Sequence, residues 1–444
     1  MKKAMLFLAG LGAAVAVAGT DVIESTVEFE QNSHSQTVVV RYTLTEPAIV
    51  TVDFQTNATG TAAGPWASIG AANFADVYGD VNRLVTETGV RKSIYWTASR
   101  SWSNHDVAAG QLRAVVNAWS KDAPPDYLVI DLTAAKCVRY YESEAAIPGG
   151  VRDLAYKTDK LIMRKVPAAY VRWKMGSVPA FTPGARQKYE TEHYVTLTED
   201  YYLSIYEVTQ RQYKHIWNNT GVASTYTGDN KGESPNKYTG YDDSDICPVD
   251  SVHLELLRGS TADYNWPEKD PLHAVDPNRV LGKLRSYVGE GIEFDLPTEA
   301  QWEYACRSGS PATHYDGTWN GDATNLAWTS SSTYPDGVNR PQPVGSLEPN
   351  AWGFYDMLGN VAELCQDWYD ADTAMTSEDQ TNPLGPKESE IVSSDHNRAL
   401  RGGCSAWAAD YYARCGARYR TAPTYLGKFG TNGIRLYAPA RVGE

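Results

Sequence analysis

The chain has 444 residues, 42% of them hydrophobic and 21% charged, with a formal net charge of −14. That length leaves room for two or three domains with real cores, and the composition is that of a folded chain. The acidic balance, without a basic stripe, argues against a nucleic-acid partner and is compatible with oxygen-rich cation sites.

In chain order, Lys2 and Lys3 precede an apolar run from Ala4 to Ala18 that closes on Ala16-Val17-Ala18. This is the pattern of a secretory signal peptide over residues 1–18, with a small-residue cleavage site. The run falls short of the roughly 20 residues a membrane span needs. No later stretch is long and apolar enough, so the expectation is no membrane span. The exported protein would be secreted or held in the periplasm or cell envelope.

Residues 19–136 read as β structure. STVEFEQ, QTVVVRYTLT, AIVTVDFQT, RKSIYWTA and DYLVIDLT are strand-length runs rich in Val, Ile, Thr and Tyr, parted by polar or Gly- and Pro-bearing segments. LRAVVNAWS fits a helical face or a strand, and its neighbours favour the strand. The spacing predicts an all-β sandwich. On architecture alone this segment resembles a fibronectin-type or immunoglobulin-like module. Residues 137–157, with IPGG inside, read as a connector.

From residue 158 to 444 the texture changes to short strands and long loops rich in Gly, Asn, Asp and Trp. The whole chain carries 29 Tyr and 13 Trp against 8 Phe. Aromatic side chains with polar tips suit loop-heavy cores and ligand surfaces equally. Two helices are predicted by capping boxes, Thr209 with Gln212 and Thr298 with Gln301. Between them, about 222–290, runs a polar insertion. Six cysteines (Cys137, Cys247, Cys306, Cys365, Cys404, Cys415) contain no C-x-x-C, and the histidines form no H-x-x-x-H, which disfavours zinc ribbons and histidine metal sites.

Several motifs run in order through the second part: EVTQRQYKHIW, CPVDSV, LPTEAQWEYACRSGS, NLAW, PVGSLEPNAWGFYDMLGNVAEL, DWYD, RALRGGCSAW and GTNGIRLY. Together they resemble the formylglycine-generating, sulfatase-modifying-factor domain over about 158–440. The resemblance implies a loop-rich α+β fold, a C-type-lectin-like variant. It also implies a copper-dependent oxidase that uses two cysteines after the GGS segment to convert a sulfatase cysteine to formylglycine. Here that segment reads RGGCSAWAADYYARCGARYR. The first catalytic cysteine aligns with Trp407 and the second with Asp410 or Tyr411, so no thiolate pair stands where Cu(I) would be gripped. Copper is therefore not expected, and no catalytic residue is assigned.

The expected outcome is a non-catalytic protein that binds an extracellular peptide or glycan. Its pocket would be lined by Trp407, Asp410, Tyr411, Arg414 and Arg418, unless Arg414 and Arg418 are spent on salt bridges and the aromatics on core packing. The alternative is a divergent oxidase, still formylglycine-generating or with different chemistry through Cys404. The resemblance implies a Cys306–Cys415 disulfide, worth roughly 4–5 kcal/mol in the chain-entropy picture, and leaves Cys365 to pair with Cys404. It further implies structural calcium at Asp356, Gly359, Val361 and Glu363, with Gly359 at positive φ. A second calcium site maps to Asn325, Leu326, Asp336 and Val338.

Overall fold

The computed structural model describes residues 12–13, 27–32, 36–57, 59, 64–105, 107, 110–134, 138–178, 189–218, 244–259, 274–289, 291–319, 323, 325–332, 340–370, 375–391, 396–408, 412–423 and 432–442. The chain divides into two compact units. Residues 1–129, 138–153 and 441–443 make the first; residues 130–137, 154–440 and 444 make the second.

The first unit holds β1 (Glu28–Asn32), β2 (Thr37–Tyr42), β3 (Ala48–Thr56), β4 (Ala67–Ser68), β5 (Tyr78–Gly79), β6 (Arg83–Val85), β7 (Lys92–Thr97) and β8 (Leu112–Trp119). LRAVVNAW is thus a strand. One sheet runs β1-β2-β7-β5, with Gly12–Ala13 paired to β1. The other joins β4, β6 and β8 to β3. Strict alternation along β2, β3 and β8 turns Val38, Val40, Val50, Val52, Phe54, Ala114 and Val116 into one core. Phe54 stacks on Trp96 at 4.4 Å and meets Phe74 edge-on at 5.3 Å. The unit is β-rich but not purely β, because a 3-10 turn at Ala71–Phe74 and helix α1 (Ala98–Ser101) interrupt it.

Strand β9 (Tyr127–Asp131) stands at the boundary of the units. The stretch 137–157, expected to be a connector, carries β10 (Val138–Tyr141) and 3-10 turns at Glu144–Ala146 and Leu154–Lys157. Residues 138–153 of it belong to the first unit. The physical reason is burial: Val138, Tyr140 and Ile147 are all core side chains.

The second unit contains β11 (Lys160–Val166), β12 (Val171–Met175), β13 (His193–Leu197), β14 (Tyr201–Ser204), α2 (Gln210–Asn218), α3 (Leu254–Arg258), α4 (Val280–Val288) and α5 (Glu299–Arg307). It continues through β15 (Ala362–Tyr369), β16 (Gln380–Thr381), β17 (Asn397–Arg401), β18 (Arg418–Thr421), β19 (Asn432–Gly433) and β20 (Tyr437–Pro439). Within this unit the strands pair in the orders β11-β14-β20, β12-β13-β16 and β18-β17-β15-β19. No described helix is long and apolar enough to cross a membrane. Of the stretch 222–290, α3 and α4 are the described helices.

Both capping boxes are closed. Gln212 N donates to Thr209 Oγ1 at 3.2 Å and Thr209 N to Gln212 Oε1 at 3.0 Å. Thr298 and Gln301 do the same for α5. Each box satisfies two amide groups that the helix itself leaves unpaired. Helix α5 then buries Trp302, Ala305 and Cys306 against Met357, Phe354 and Cys415.

The other face of α5 is equally buried but charged. Glu299, Glu303 and Arg307 follow one another at helical spacing. Glu303 accepts from Gly176 N at 2.9 Å and Arg307 Nε at 2.8 Å, and pairs with Arg401. Burial works to raise its carboxyl, but Arg307 and Arg401 outweigh it and hold the group below the usual carboxylate range. Glu303→Gln would leave two buried guanidiniums short of countercharge. Breaking such pairs costs about 3–5 kcal/mol, so a fall in unfolding free energy of that order is expected by urea titration.

Candidate functional site

After β17 the chain turns through Gly402 and Gly403, both at positive φ, a conformation that glycine adopts without penalty. The turn leads into Cys404, Ser405 and Trp407. Trp407 is half-buried and sits in an aromatic cluster, 4.8 Å from the Tyr412 ring and 4.5 Å from that of Tyr419. Its carbonyl accepts from Ser330 N at 3.0 Å, and its N–H donates to the Cys404 carbonyl at 3.0 Å. Asp410 and Tyr411 lie outside the described residues. Tyr412 and Tyr419 were not singled out from the sequence, where nothing separates them from the many other tyrosines.

Arg414 and Arg418 do not join this cluster through their charges. Arg414 forms a bidentate pair with Glu190 at 2.8 and 3.0 Å. Arg418 forks onto Glu299, with its Nε at 2.7 Å, and donates to the Tyr189 carbonyl at 3.0 Å. Both guanidiniums are therefore committed to buried carboxylates, the salt-bridge reading of these residues. Arg418 also borders a cavity of about 230 Å³ with Glu299, Asp367, Asp370, Met175 and Met375. There Asp367 accepts from Glu299 N at 2.8 Å. Burial first, then the Glu299 carboxylate, pushes its carboxyl up to about 7.

Among the described residues neither expected disulfide is formed: Cys306, Cys365, Cys404 and Cys415 are buried thiols. Cys306 and Cys415 are neighbours as expected, but Cys306 Sγ donates a hydrogen bond to Cys415 Sγ at 3.6 Å in place of a covalent bond. Cys365 lies on β15 inside the core, with no bond to Cys404. Burial pushes the Cys404 thiol up to about 12, so it is not a thiolate near neutral pH. Cys137 lies outside the described residues.

The loop from Asp356 to Glu363 gathers charge. Gly359 has φ +84°, and a Cβ there would come within 2.5 Å of the Trp328 carbonyl oxygen, so glycine is required. Asp356 accepts from Gly345 N at 2.6 Å. Glu363 is gripped by Arg435 at 2.7 and 3.0 Å and by Trp302 Nε1 at 2.6 Å. Glu207 accepts from Asn360 Nδ2 at 2.6 Å and Val361 N at 3.1 Å. Burial, then Asp356 and Glu363, push the Glu207 carboxyl well up, and burial brings Asp356 to about 6. Three buried carboxylates thus face Arg435 and the nearby Lys157. With the Glu207 carboxyl pushed toward its neutral form, Asp356 and Glu363 remain opposite Arg435 and Lys157, and a hard cation here would draw on Asp356, Glu363 and the Gly359 and Val361 carbonyls. Among the described residues no trio of His, Cys, Asp or Glu side chains is disposed to hold a metal by itself, so carbonyls or waters would have to complete the shell. Of the second set, Asn325 and Leu326 lie in a turn, and the Leu326 carbonyl accepts from Tyr315 Oη at 3.2 Å. Asp336 and Val338 lie outside the described residues.

Comparison with known proteins places these features. The family described as "Sulfatase-modifying factor enzyme 1-like domain" matches residues 142–438. A Bos taurus protein named formylglycine-generating enzyme is 31% identical over 280 residues, covering 56% of this chain and 71% of that protein. The Paenibacillus barcinonensis "Chaperone protein LppX" is 30% identical over 189 residues, and the match spans 39% of this chain and 64% of that protein. Among solved structures, Treponema denticola variable protein 1 matches with TM-score 0.43 and 23% identity, covering 63% of this chain and 95% of that one.

Asp367 gives the small cavity a pH signature. The folded protein holds this proton up to about pH 7, whereas the ordinary carboxyl releases it near 3.8. The unfolded chain therefore binds fewer protons between those values, and stability falls as pH rises from about 4 through 7. Asp367→Asn should flatten that slope in unfolding curves taken across the interval.

Proposed function

The chain belongs to the sulfatase-modifying factor enzyme 1-like domain family, and from that premise we propose that it is an exported, non-catalytic member that binds an extracellular peptide or glycan. One observation carries the reading: where the family's oxidases need a thiol, this chain presents the indole of Trp407 packed against Tyr412 and Tyr419. The neighbouring positions 410 and 411 offer a carboxylate and a phenol. None of these replaces the soft sulfur pair that Cu(I) demands, so the donor set does not fit copper. Cys404 is buried, and Cys306 and Cys415 face each other inside the core.

A half-exposed aromatic cluster suits the flat faces of sugar rings or extended peptide side chains. The name of the Paenibacillus relative, a chaperone, is in keeping with binding in place of turnover. In this proposal the first unit is a fibronectin- or immunoglobulin-like sandwich, and the second is a C-type-lectin-like variant. The leader at 1–18 directs export to the envelope or beyond. Calcium is structural, held at Asp356, Gly359, Val361 and Glu363, where it pins the irregular loop. The looser site at Asn325, Leu326, Asp336 and Val338 is the second candidate.

Two measurements test this. The purified protein, supplied with copper, oxygen and a C-x-P-x-R sulfatase peptide, should consume no oxygen and leave the peptide cysteine unchanged; turnover sinks the non-catalytic reading. Calcium should raise the melting temperature of the wild type. A cation present at about a hundred times its Kd stabilises by about 2.7 kcal/mol, and Asp356→Asn should abolish most of that gain.

A further inference from the structure

We propose that the outward face of β3 and β8 in the first unit is a binding site for a neutral saccharide of one or two rings. This site is separate from the aromatic cluster around Trp407. The strands that bury Val50, Val52, Phe54, Ala114 and Val116 turn Thr51, Asp53, Gln55, Arg113, Asn117 and Trp119 to the opposite side. Register places Thr51 across from Asn117 and Gln55 across from Arg113. The 3-10 turns Ala71–Phe74 and Glu144–Ala146 contribute walls, and the open cleft between them measures about 800 Å³. That volume lies inside the range of small-molecule sites, about 300–1,000 Å³.

The polar side chains hold one another in place. Asp53 accepts from Gln55 Nε2 at 2.8 Å and Ser68 Oγ at 2.6 Å. Gln55 Oε1 accepts from Arg113 Nε at 2.9 Å and Nη2 at 2.6 Å, and the guanidinium lies 4.5 Å over the Trp66 ring. Glu142 Oε1 accepts from Asn117 Nδ2 at 2.8 Å and from the Thr51 hydroxyl. Trp119 Nε1 donates to Thr51 Oγ1 at 2.9 Å. Such mutual bracing is preorganisation: a ligand need not order these side chains as it binds.

What the network leaves over identifies the ligand. Among the described residues, Glu142 Oε2 and Asn117 Oδ1 accept no hydrogen bond, and Arg113 Nη1 donates none. Acceptors and a donor are thus free around one cavity. A sugar hydroxyl is donor and acceptor at once and matches such a mixed set. The apolar face of a sugar ring suits Trp119, Ala145 and Ala146, which also line the space. Asp53 and Glu142 outnumber Arg113 by one charge, which disfavours an anionic ligand. A β-sheet face serving only structure would have no need to surround a space of this size with uncommitted polar atoms.

Calorimetric titration of the full chain with maltose, cellobiose, lactose and diacetylchitobiose tests the assignment. At least one should bind with a Kd below about 1 mM. Asn117→Ala and Glu142→Gln, checked for folding by circular dichroism, should each weaken it by about tenfold, as loss of a hydrogen bond to a charged or preorganised group does. Trp407→Ala should leave it unchanged, which separates this site from the cluster in the second unit. Absence of binding by all four sugars at about 10 mM, or equal affinity in the Asn117 and Glu142 variants, overturns the proposal. Tighter binding of glucose 6-phosphate than of any neutral sugar does so as well.

Discussion

Glu303 stands at the centre of the second unit, accepting from a backbone amide and two guanidiniums with almost no water in reach. Its neighbour one turn earlier, Glu299, takes Arg418 and Arg401 in the same way. A fold built of short strands and irregular loops has few ladder hydrogen bonds to hold its segments in register. Here α5 supplies that function through charge. It ties together the end of β12, β17 and β18 through directional, charge-assisted bonds, and Arg401 donates onward to the Cys415 carbonyl. Hydrophobic burial of Trp302 and Cys306 on the opposite face gives the helix its depth, while the carboxylates fix which loops may lie beside it.

The same device recurs around Glu363 and Arg435. Arg435 donates to the carbonyls of Ser204, Ile205 and Tyr355 as well as to Glu363, so a single guanidinium joins two separate backbone segments to one carboxylate. In the α5 group Arg307, Arg401 and Arg418 share Glu299 and Glu303. Around Asp356 the carboxyls of Asp356 and Glu207 are pushed up by burial, in a loop that also carries residues at positive φ, Asp356, Gly359 and Asn360. Strain and perturbed carboxyls in one buried loop are features that usually mark function more than stability.

What could be read from the sequence was local. The partners of each capping box lie three residues apart and close as expected, and the positive φ of the glycine in GNVAEL was legible in its motif, whereas the Trp328 carbonyl that bars a side chain there was not. Alternation along β2, β3 and β8 needs a window of a few residues. The arginines were harder. Arg414 finds Glu190 across 224 positions and Arg418 finds Glu299 across 119. No periodicity links such partners, so the residue type alone suggested ligand contact and salt bridge alike. The cysteines failed in another way: proximity of Cys306 and Cys415 was inferred correctly from the family pattern, but proximity does not decide oxidation state. The polar face of the first unit carried no recognisable motif, because it is assembled from two strands and a segment, Glu142–Ala146, that looked like linker.

The placement of the frame has an evolutionary corollary. Buried ion pairs beneath α5 and beside Glu363 brace the second unit, whereas Trp407 and Tyr412 follow the Gly402-Gly403 turn and supply none of those charges, and Tyr419 sits beside Arg418 on β18. Side chains on that turn can be exchanged with little risk to the scaffold. A lineage could discard an oxidase's sulfur atoms and install rings in their stead through a handful of neutral steps, keeping the architecture while changing its trade.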